Sequence, residues 1–274
     1  MNGTEIGIVD TRNVIRLVNE MYGYDFGDHA LTSFKRGLER IMVVHNLKNA
    51  DSLLSRLRED PSFLQAFLHG IVIEPTEMFR DPSLWRMLRD DFLFKMATAS
   101  SHPKVWFPYV SSPEELLTFS IVLEECGIRD KFSIAVSCLS EHSMKAIQLG
   151  NIRLNKLEVS EDNYTRYHGK GKLSDYCRNS ERFVAFDPAL LRGITCTLQK
   201  LDFENTARNL DLIFFRNQLL YFNQGLQDRV VNVLFDSLSA GGYLVLGARE
   251  KIQSQDPAKT FRCVNEEENI YQKK

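Results

Sequence analysis

A short apolar run that ends abruptly in a charged and an amide side chain constrains the fold more than any other stretch. Leu212 to Phe215 are all apolar, and Arg216-Asn217 follow at once. Such a run is typical of a strand buried on both faces, as in parallel sheets. In open α/β sheets, ligands bind just beyond the carboxyl ends of the strands. We therefore expect a small molecule to meet polar groups at Arg216-Asn217.

From residue 104 onward, strand-like patterns alternate with helix-like patterns. Strands are predicted at 104–110, 132–137, 184–186, 195–198, 210–215, 243–247, 261–264 and 269–271, and helices at 113–125, 143–149 and 224–238. The Gly241-Gly242 pair predicts a turn before the strand that begins at Tyr243. This alternation predicts an α/β fold with a parallel sheet and right-handed crossovers.

The first part of the chain follows a different pattern, in which apolar side chains recur at helical spacing between stop signals. We therefore predict an all-helical domain at 1–75, a connector at 76–103 and the α/β domain at 104–274. A polar segment at about 151–185 interrupts the α/β alternation. We interpret it as an inserted hairpin or loop excursion, because its Gly-Lys run at 169–172 lacks the spacing of a phosphate loop.

Composition excludes several classes of function. Basic and acidic residues nearly balance, with a net charge of -2, so no basic field predicts binding to nucleic acid. No apolar run is long enough to span a membrane, and the amino terminus does not resemble a signal peptide, which predicts a cytoplasmic protein. Five widely spaced cysteines predict free thiols and no metal site. We expect a monomer.

Two stretches carry candidate binding residues. Lys35, Arg36 and Arg40 lie on the second predicted helix, where three cations form either a binding surface or an ordinary solvated face. Thr76 and Arg80 lie between two prolines, which restrict the backbone of the preceding residues. This second stretch is either a rigid wall for an anionic ligand or an interdomain turn with Arg80 in an ion pair.

Five ordered motifs together resemble the CheR family of chemotaxis receptor methyltransferases. They are Gly23-Tyr-Asp-Phe, Lys35-Arg-Gly-Leu-Glu-Arg-Ile-Met, Glu74-Pro-Thr-Glu-Met-Phe-Arg-Asp-Pro, Asp211-Leu-Ile-Phe-Phe-Arg-Asn-Gln-Leu-Leu-Tyr-Phe and Gly241-Gly-Tyr-Leu-Val-Leu-Gly-Ala-Arg-Glu. The third and fourth are specific, and the set covers nearly the whole chain. The resemblance implies an amino-terminal helical domain and a Rossmann-like methyltransferase domain with a small antiparallel insertion.

The resemblance also implies a function and site residues. Family members use S-adenosylmethionine to methylate glutamate side chains of chemoreceptors, with S-adenosylhomocysteine as product. The implied cofactor contacts are Thr76, Arg80, Glu115, Asp202, Asn217 and Gln218. Arg80 is also the candidate for orienting the substrate carboxylate, and Lys35, Arg36 and Arg40 match the family's receptor-binding helix. A glutamate is already ionised near neutral pH, so this chemistry needs no strong base.

The chain departs from the family pattern where the cofactor's two ends are expected. Tyr109 and Pro113 replace a small residue and a glycine after the first strand, and the ring of Tyr109 is expected to occupy space that the methionine moiety needs. Ser137-Cys138 replace a Thr-Asp pair whose carboxylate binds the ribose hydroxyls, and a thiol is a poor acceptor.

Three hypotheses follow from these departures. The chain is an active methyltransferase with an atypical cofactor loop, a pseudoenzyme that keeps the fold and binds signalling partners, or a protein whose cleft binds another ligand.

Overall fold

The structure of the chain is a computed structural model that describes residues 5–72, 77–200, 207–252 and 261–274. In chain order its helices are α1 (Ile8–Tyr22), α2 (Leu31–Val44), α3 (Ala50–Glu59), α4 (Phe63–Val72), α5 (Pro82–Met87), α6 (Phe94–Ala99), α7 (Glu114–Cys126), α8 (Glu141–Leu149), α9 (Leu157–Tyr167) and α10 (Gln224–Ser237). Within these described ranges, every helix is too short or too polar to cross a membrane.

The strands are β1 (Lys104–Phe107), β2 (Ser133–Cys138), β3 (Asn151–Arg153), β4 (Cys177–Asn179), β5 (Phe183–Phe186), β6 (Thr195–Leu198), β7 (Leu210–Phe215), β8 (Leu238–Leu246), β9 (Phe261–Asn265) and β10 (Ile270–Lys273). They form a seven-stranded sheet and a separate three-stranded sheet. The predicted fold class, a helical amino-terminal part followed by an α/β sheet with a small antiparallel insertion, is confirmed.

The amino-terminal helices α1 to α4 share one apolar core. Val14, Leu38, Leu53 and Phe67, one from each helix, are fully buried in it. These residues recur at helical spacing with their apolar neighbours, which is why burial of one face of each helix stabilises the bundle. Leu139, from the loop after β2, also packs into this core and joins it to the α/β part.

The large sheet has the order β6-β2-β1-β7-β8-β10-β9. β1 pairs in parallel with β2 on one side and with β7 on the other, while β9 and β10 form an antiparallel pair at the edge. The chain therefore winds outward from β1 in both directions, and the order reverses between β1 and β7. Such a switch point opens a crevice at the carboxyl ends of the two strands.

One expectation for local structure is incomplete and another is wrong. The insertion contains the antiparallel hairpin β4–β5 within the small sheet β3-β5-β4, as expected, and also the helix α9, which the sequence does not predict. The Gly241-Gly242 pair is not a turn, because β8 runs through it as one continuous strand. Gly241 has a φ of +79°, and the pairing of β7 with β8 shifts register there, so the glycines accommodate an irregularity in the strand.

The helical part is tied to the carboxyl edge of the sheet by backbone hydrogen bonds. Ala30 N donates to Tyr221 O at 2.7 Å, and Asn223 N donates to Asp28 O at 2.8 Å. His29 forms an isolated antiparallel bridge with Phe222 between them. These bonds hold the start of α2 over the ends of β1 and β7.

Candidate functional site

A cleft of about 190 Å³ lies between α2 and the carboxyl ends of β1 and β7, at the switch point of the sheet. We call it the interdomain cleft. The described residues that line it are Phe26, His29, Ser33, Phe34, Arg36, Arg40, Ile71, Val72, Tyr109, Val110, Ser111, Ser112, Glu115, Arg216, Asn217, Gln218, Tyr221 and Phe222. The helical domain, the β1–α7 loop and the end of β7 therefore line the same cleft.

Arg216, directly after β7, is the centre of a buried ion-pair network. Its guanidinium donates to Glu115 Oε1 at 2.6 Å and to Asp81 Oδ2 at 2.5 Å. Its side chain is 3% exposed and lies over the ring of Trp85. Two carboxylates therefore offset the charge of this buried cation, as a buried charge requires. The sequence suggests Arg216 as a ligand contact and an ion pair for Arg80. The structure shows the ion pairs at Arg216 instead.

The two acids at the start of α7 face different partners. Glu114, 3% exposed, pairs with Lys156 at 3.0 Å and so connects α7 to the insertion. Glu115 faces the interdomain cleft and pairs with Arg216. Acidic side chains at a helix amino terminus are also favoured by the helix dipole.

The backbone around Arg80 is held in an unusual conformation. Phe79 and Asp81, on either side, have φ values of +53° and +56°, a region that non-glycine residues rarely adopt. Phe79 N donates to Thr118 Oγ1 at 2.9 Å, and Arg80 O accepts from Trp85 Nε1 at 2.9 Å. Within the described ranges no hydrogen bond or ion pair of the Arg80 guanidinium is seen, whereas its backbone carbonyl is fixed by Trp85.

Asn217 and Gln218 form the floor of the cleft. Asn217 has a φ of +58°, and its Oδ1 lies 2.6 Å from the position that a Cβ on Gly247 would take. Gln218 Nε2 donates to Pro108 O at 3.0 Å, which joins the β7 edge to the β1 edge. A side chain at position 247 would displace Asn217, so the glycine is needed for this close approach.

The three cations of α2 do not share one environment. Arg36 and Arg40 line the interdomain cleft, whereas Lys35 pairs with Glu5 at 3.3 Å and Glu39 at 3.5 Å. Arg40 Nη2 also donates to Gly70 O at 3.3 Å, and Arg36 has no ion pair with another described residue. The charge of Lys35 is therefore offset by two carboxylates, and the two arginines carry positive charge into the cleft.

The end of β2, where the ribose is expected, presents no carboxylate. Cys138 is fully buried in the main core, and burial raises the pKa of its thiol to about 12. Ser137 Oγ instead accepts from Trp106 Nε1 at 3.0 Å and donates to Gln199 Oε1 at 2.7 Å. These bonds tie together the carboxyl ends of β1, β2 and β6.

Tyr109 and Pro113, in the loop after β1, both have backbone conformations that the structure accommodates. Tyr109 has a φ of +57°, and its buried ring forms part of the cleft wall while its hydroxyl donates to Lys200 O at 2.9 Å. Pro113 caps α7 with a φ of -81°, close to the value that proline prefers. The proline therefore fits its backbone, and no glycine conformation is needed there.

Two predicted contacts, Thr76 and Asp202, lie outside the described residues. Glu115, Asn217 and Gln218 meet at the cleft with Arg36 and Arg40, and Arg80 is adjacent through its carbonyl, which accepts from Arg216 Nη2 at 3.4 Å. Among the described residues no cluster of potential metal ligands occurs.

Two residues near the cleft were missed by the sequence interpretation. His29 lies among the rings of Phe26, Phe34 and Phe222, and burial lowers its pKa to about 4. Glu250, 2% exposed, accepts a hydrogen bond from Asn217 N at 2.7 Å. The last motif contains Glu250, but nothing in its local pattern indicates a buried acceptor for a distant loop.

Comparisons with known proteins show the family of the chain. Residues 10–71 match the model of the CheR methyltransferase all-alpha domain, and residues 74–270 match that of the CheR methyltransferase SAM binding domain. A Pseudomonas putida protein with the provisional name methyltransferase Cher3 is 26% identical over 97% of both chains. Chemotaxis protein methyltransferase 1 of Vibrio cholerae and chemotaxis protein methyltransferase of Vibrio parahaemolyticus are each 25% identical, over 96% of this chain and 97% of theirs.

Proposed function

Because the chain belongs to the CheR methyltransferase family, we propose that it transfers a methyl group from S-adenosylmethionine to glutamate side chains of a chemoreceptor. The reaction takes place in the interdomain cleft. One observation carries the proposal: Arg36 and Arg40 enter the same cleft as Asn217, at the switch point of the sheet. A site for an anionic acceptor thus adjoins the edge where family members bind the cofactor. The names of the relatives support the chemoreceptor as substrate.

The charges around the cleft suit a carboxylate acceptor. Glu115 is the one acid among the described lining residues, and it is already paired with Arg216. Arg36 and Arg40 therefore leave the cleft with an excess of positive charge. Guanidinium groups bind carboxylates by charge-assisted hydrogen bonds, and such bonds orient the acceptor as well as attract it.

The described residues fit one end of S-adenosylmethionine better than the other. At the amino-acid end, Glu115, although it is paired with Arg216, would supply the carboxylate for the ammonium, and Asn217 would supply an amide. The missing Cβ of Gly247 leaves room for that amide. At the ribose end, Cys138 faces the core and Ser137 is already hydrogen-bonded. We therefore assign cofactor recognition mainly to the amino-acid end, where the ring of Tyr109, expected to compete with the methionine moiety for space, forms part of the cleft wall.

The work left to this chain is positioning. When bound, S-adenosylmethionine supplies a methyl group already activated on a sulfonium centre. The acceptor carboxylate is ionised near neutral pH, so no residue has to remove a proton. Arg36 and Arg40 hold the acceptor, and the rings of Phe26, Phe34 and Phe222 exclude water from the cleft wall. Arg80, which does not line the cleft, is assigned to the acceptor by the family motif alone.

A transfer assay tests the proposal. The full chain is incubated with S-adenosylmethionine labelled on its methyl group and with the cytoplasmic fragment of a chemoreceptor. We expect label on the fragment that base releases as methanol, as a glutamyl methyl ester requires. Arg36→Gln should lower the yield, and Lys35→Gln, which changes a cation that lies outside the cleft lining and pairs with Glu5 and Glu39, should not.

A second candidate function, a binding protein without transferase activity, rests on one observation. The Trp106–Ser137–Gln199 bonds connect three strand ends where a ribose would need a free acceptor. A chain that binds the receptor fragment but leaves no base-labile label on it would contradict the transferase and support this candidate.

A further inference from the structure

Glu250 is a buried carboxylate surrounded by backbone amides. Its Oε2 accepts from Asn217 N and from Gly247 N, and its Oε1 accepts from Leu219 N, each at 2.7 Å. Its side chain forms no ion pair with a described residue. Burial raises the pKa of Glu250, while these amide hydrogen bonds act in the opposite direction. A buried charge of this kind persists only if amides or cations compensate it, and here amides do so.

The amides come from two segments that must be held together for the cleft to form. Asn217 and Leu219 belong to the loop after β7, and Gly247 follows β8. Glu250 N in turn donates to Gly247 O at 2.9 Å, which closes the turn that carries the carboxylate. The carboxylate therefore bridges the ends of two neighbouring parallel strands.

The loop after β7 needs such a bridge because its conformation is unfavourable by itself. Asn217 has a φ of +58°, and its amide oxygen is packed against the backbone at Gly247. A left-handed conformation at a non-glycine residue persists only where surrounding contacts fix it. The side chain of Gln218 is fixed by its hydrogen bond to Pro108 O. The backbone amides of Asn217 and Leu219 are fixed by their hydrogen bonds to the Glu250 carboxylate.

We infer that Glu250 is a positioning residue. By binding the backbone amides of Asn217 and Leu219, it fixes the side-chain amide of Asn217 at the cofactor end of the cleft. This inference rests on the proposed function. Glu250 is not among the residues that line the cleft, so it acts through Asn217 and does not touch the ligand. Its loss lowers cofactor affinity even though every side chain of the cleft is still present.

Nuclear magnetic resonance of the free protein tests the first half of this inference. Amide protons that donate to a carboxylate at short distance resonate at low field, so we expect low-field signals for Asn217, Leu219 and Gly247. Glu250→Gln should move these signals to higher field. Glu267→Gln, which neutralises an exposed carboxylate of the same region, should leave them unchanged. Signals of ordinary position that do not respond to Glu250→Gln would overturn the bridge.

A double-mutant cycle tests the second half. Calorimetry with S-adenosylhomocysteine should show about a tenfold to hundredfold loss of affinity for Glu250→Gln and for Asn217→Ala, because small displacements of a binding group have effects of this size. Since Glu250 acts through Asn217, the double variant should be little worse than Asn217→Ala alone. Additive losses would overturn the inference.

A third variant moves Asn217 without altering the carboxylate, in case Glu250→Gln does not fold. Gly247→Ala places a methyl group 2.6 Å from Asn217 Oδ1, whereas Gly225→Ala meets nothing closer than 3.6 Å. We expect Gly247→Ala to weaken S-adenosylhomocysteine binding about tenfold or more and Gly225→Ala to leave it unchanged.

The failures of the two proposals can be distinguished. A wild-type chain that does not bind S-adenosylhomocysteine contradicts the proposed function and its cofactor edge. Binding that depends on Asn217 but not on Glu250 or Gly247 contradicts only the positioning role. Normal binding by Glu250→Gln, with its three amide signals displaced, would show that the bridge exists but does not serve the cofactor, which also overturns the inference.

Discussion

Arg216 Nη2 and Asp81 Oδ2 lie 2.5 Å apart, although the two residues are separated by 135 positions in the chain. This ion pair joins the carboxyl end of β7 to the turn before α5. With the second pair from Arg216 to Glu115, it connects three segments around the end of the cleft to which we assign the cofactor.

Arg216→Met should therefore destabilise the fold by about 3 kcal/mol, because it leaves two partly buried carboxylates without a cation. Denaturant unfolding measures this cost. Arg229→Ala is the matched control, since Arg229 and Asp28 form an ion pair whose side chains are 65% and 48% exposed. That pair should contribute at most about 1 kcal/mol. Equal effects of the two substitutions would contradict the network.

Cys138→Asp should destabilise the protein by about 3 kcal/mol or more, although it restores the family's residue. The structure shows the thiol of Cys138 fully buried in the apolar core, so a carboxylate there would lack both water and a cation. Thermal unfolding tests this expectation, with Cys263→Asp on the exposed strand β9 as control. A stable Cys138→Asp variant with improved S-adenosylhomocysteine affinity would place position 138 at the ribose.

Stability should fall as the pH is lowered from about 6.5 toward 5. Burial lowers the pKa values of His29 and His69 to about 4, so the folded state keeps both rings neutral. The unfolded chain binds their protons near pH 6.5, so protonation favours unfolding throughout this window. Both rings lie at contacts with the α/β part, His69 through Ser143 Oγ at 3.0 Å.

Urea unfolding between pH 7.5 and 5 measures this dependence. Each histidine should add a slope of up to about 1.4 kcal/mol per pH unit below pH 6.5. His69→Gln and His29→Gln should each flatten the curve in this range, whereas His102→Gln, which replaces an exposed histidine, should leave it unchanged. A curve with the same slope in all variants would contradict the assignment.

Arg36→Gln and Arg40→Gln should each raise the KM for the receptor fragment about tenfold, because each removes a charge-assisted hydrogen bond to the acceptor. Lys35→Gln should have little effect, since that cation faces Glu5 and Glu39. Steady-state kinetics at saturating S-adenosylmethionine separates the three variants. Equal effects at all three positions would restore the view of α2 as one uniform basic surface.

The amino-terminal helices could be predicted from apolar periodicity, because each buries one apolar face. β7 and α7 could be predicted from their apolar runs, because both are buried on nearly all sides. Helix α9 could not, since its buried residues include Ser160, Asn163 and Tyr164. Ser160 accepts from Met78 N, Asn163 donates to Met78 O, and Tyr164 donates to Glu125. An inward face that is hydrogen-bonded rather than apolar gives no hydrophobic period.

Residues of the candidate site could be predicted from the motifs, but their ion pairs could not. The motifs identify Arg36, Arg40 and Asn217, and the fold brings these residues to one cleft. The sequence does not reveal that Arg216 is neutralised by Asp81 and Glu115, because this depends on contacts between distant segments.

Titration of S-adenosylhomocysteine into the full chain, followed by calorimetry, shows whether the cleft binds the cofactor. We expect a single site with a Kd on the order of micromolar, weakened in Asn217→Ala and unchanged in Glu267→Gln. Absence of binding heat at millimolar ligand, together with unchanged unfolding temperature on adding ligand, would contradict the account.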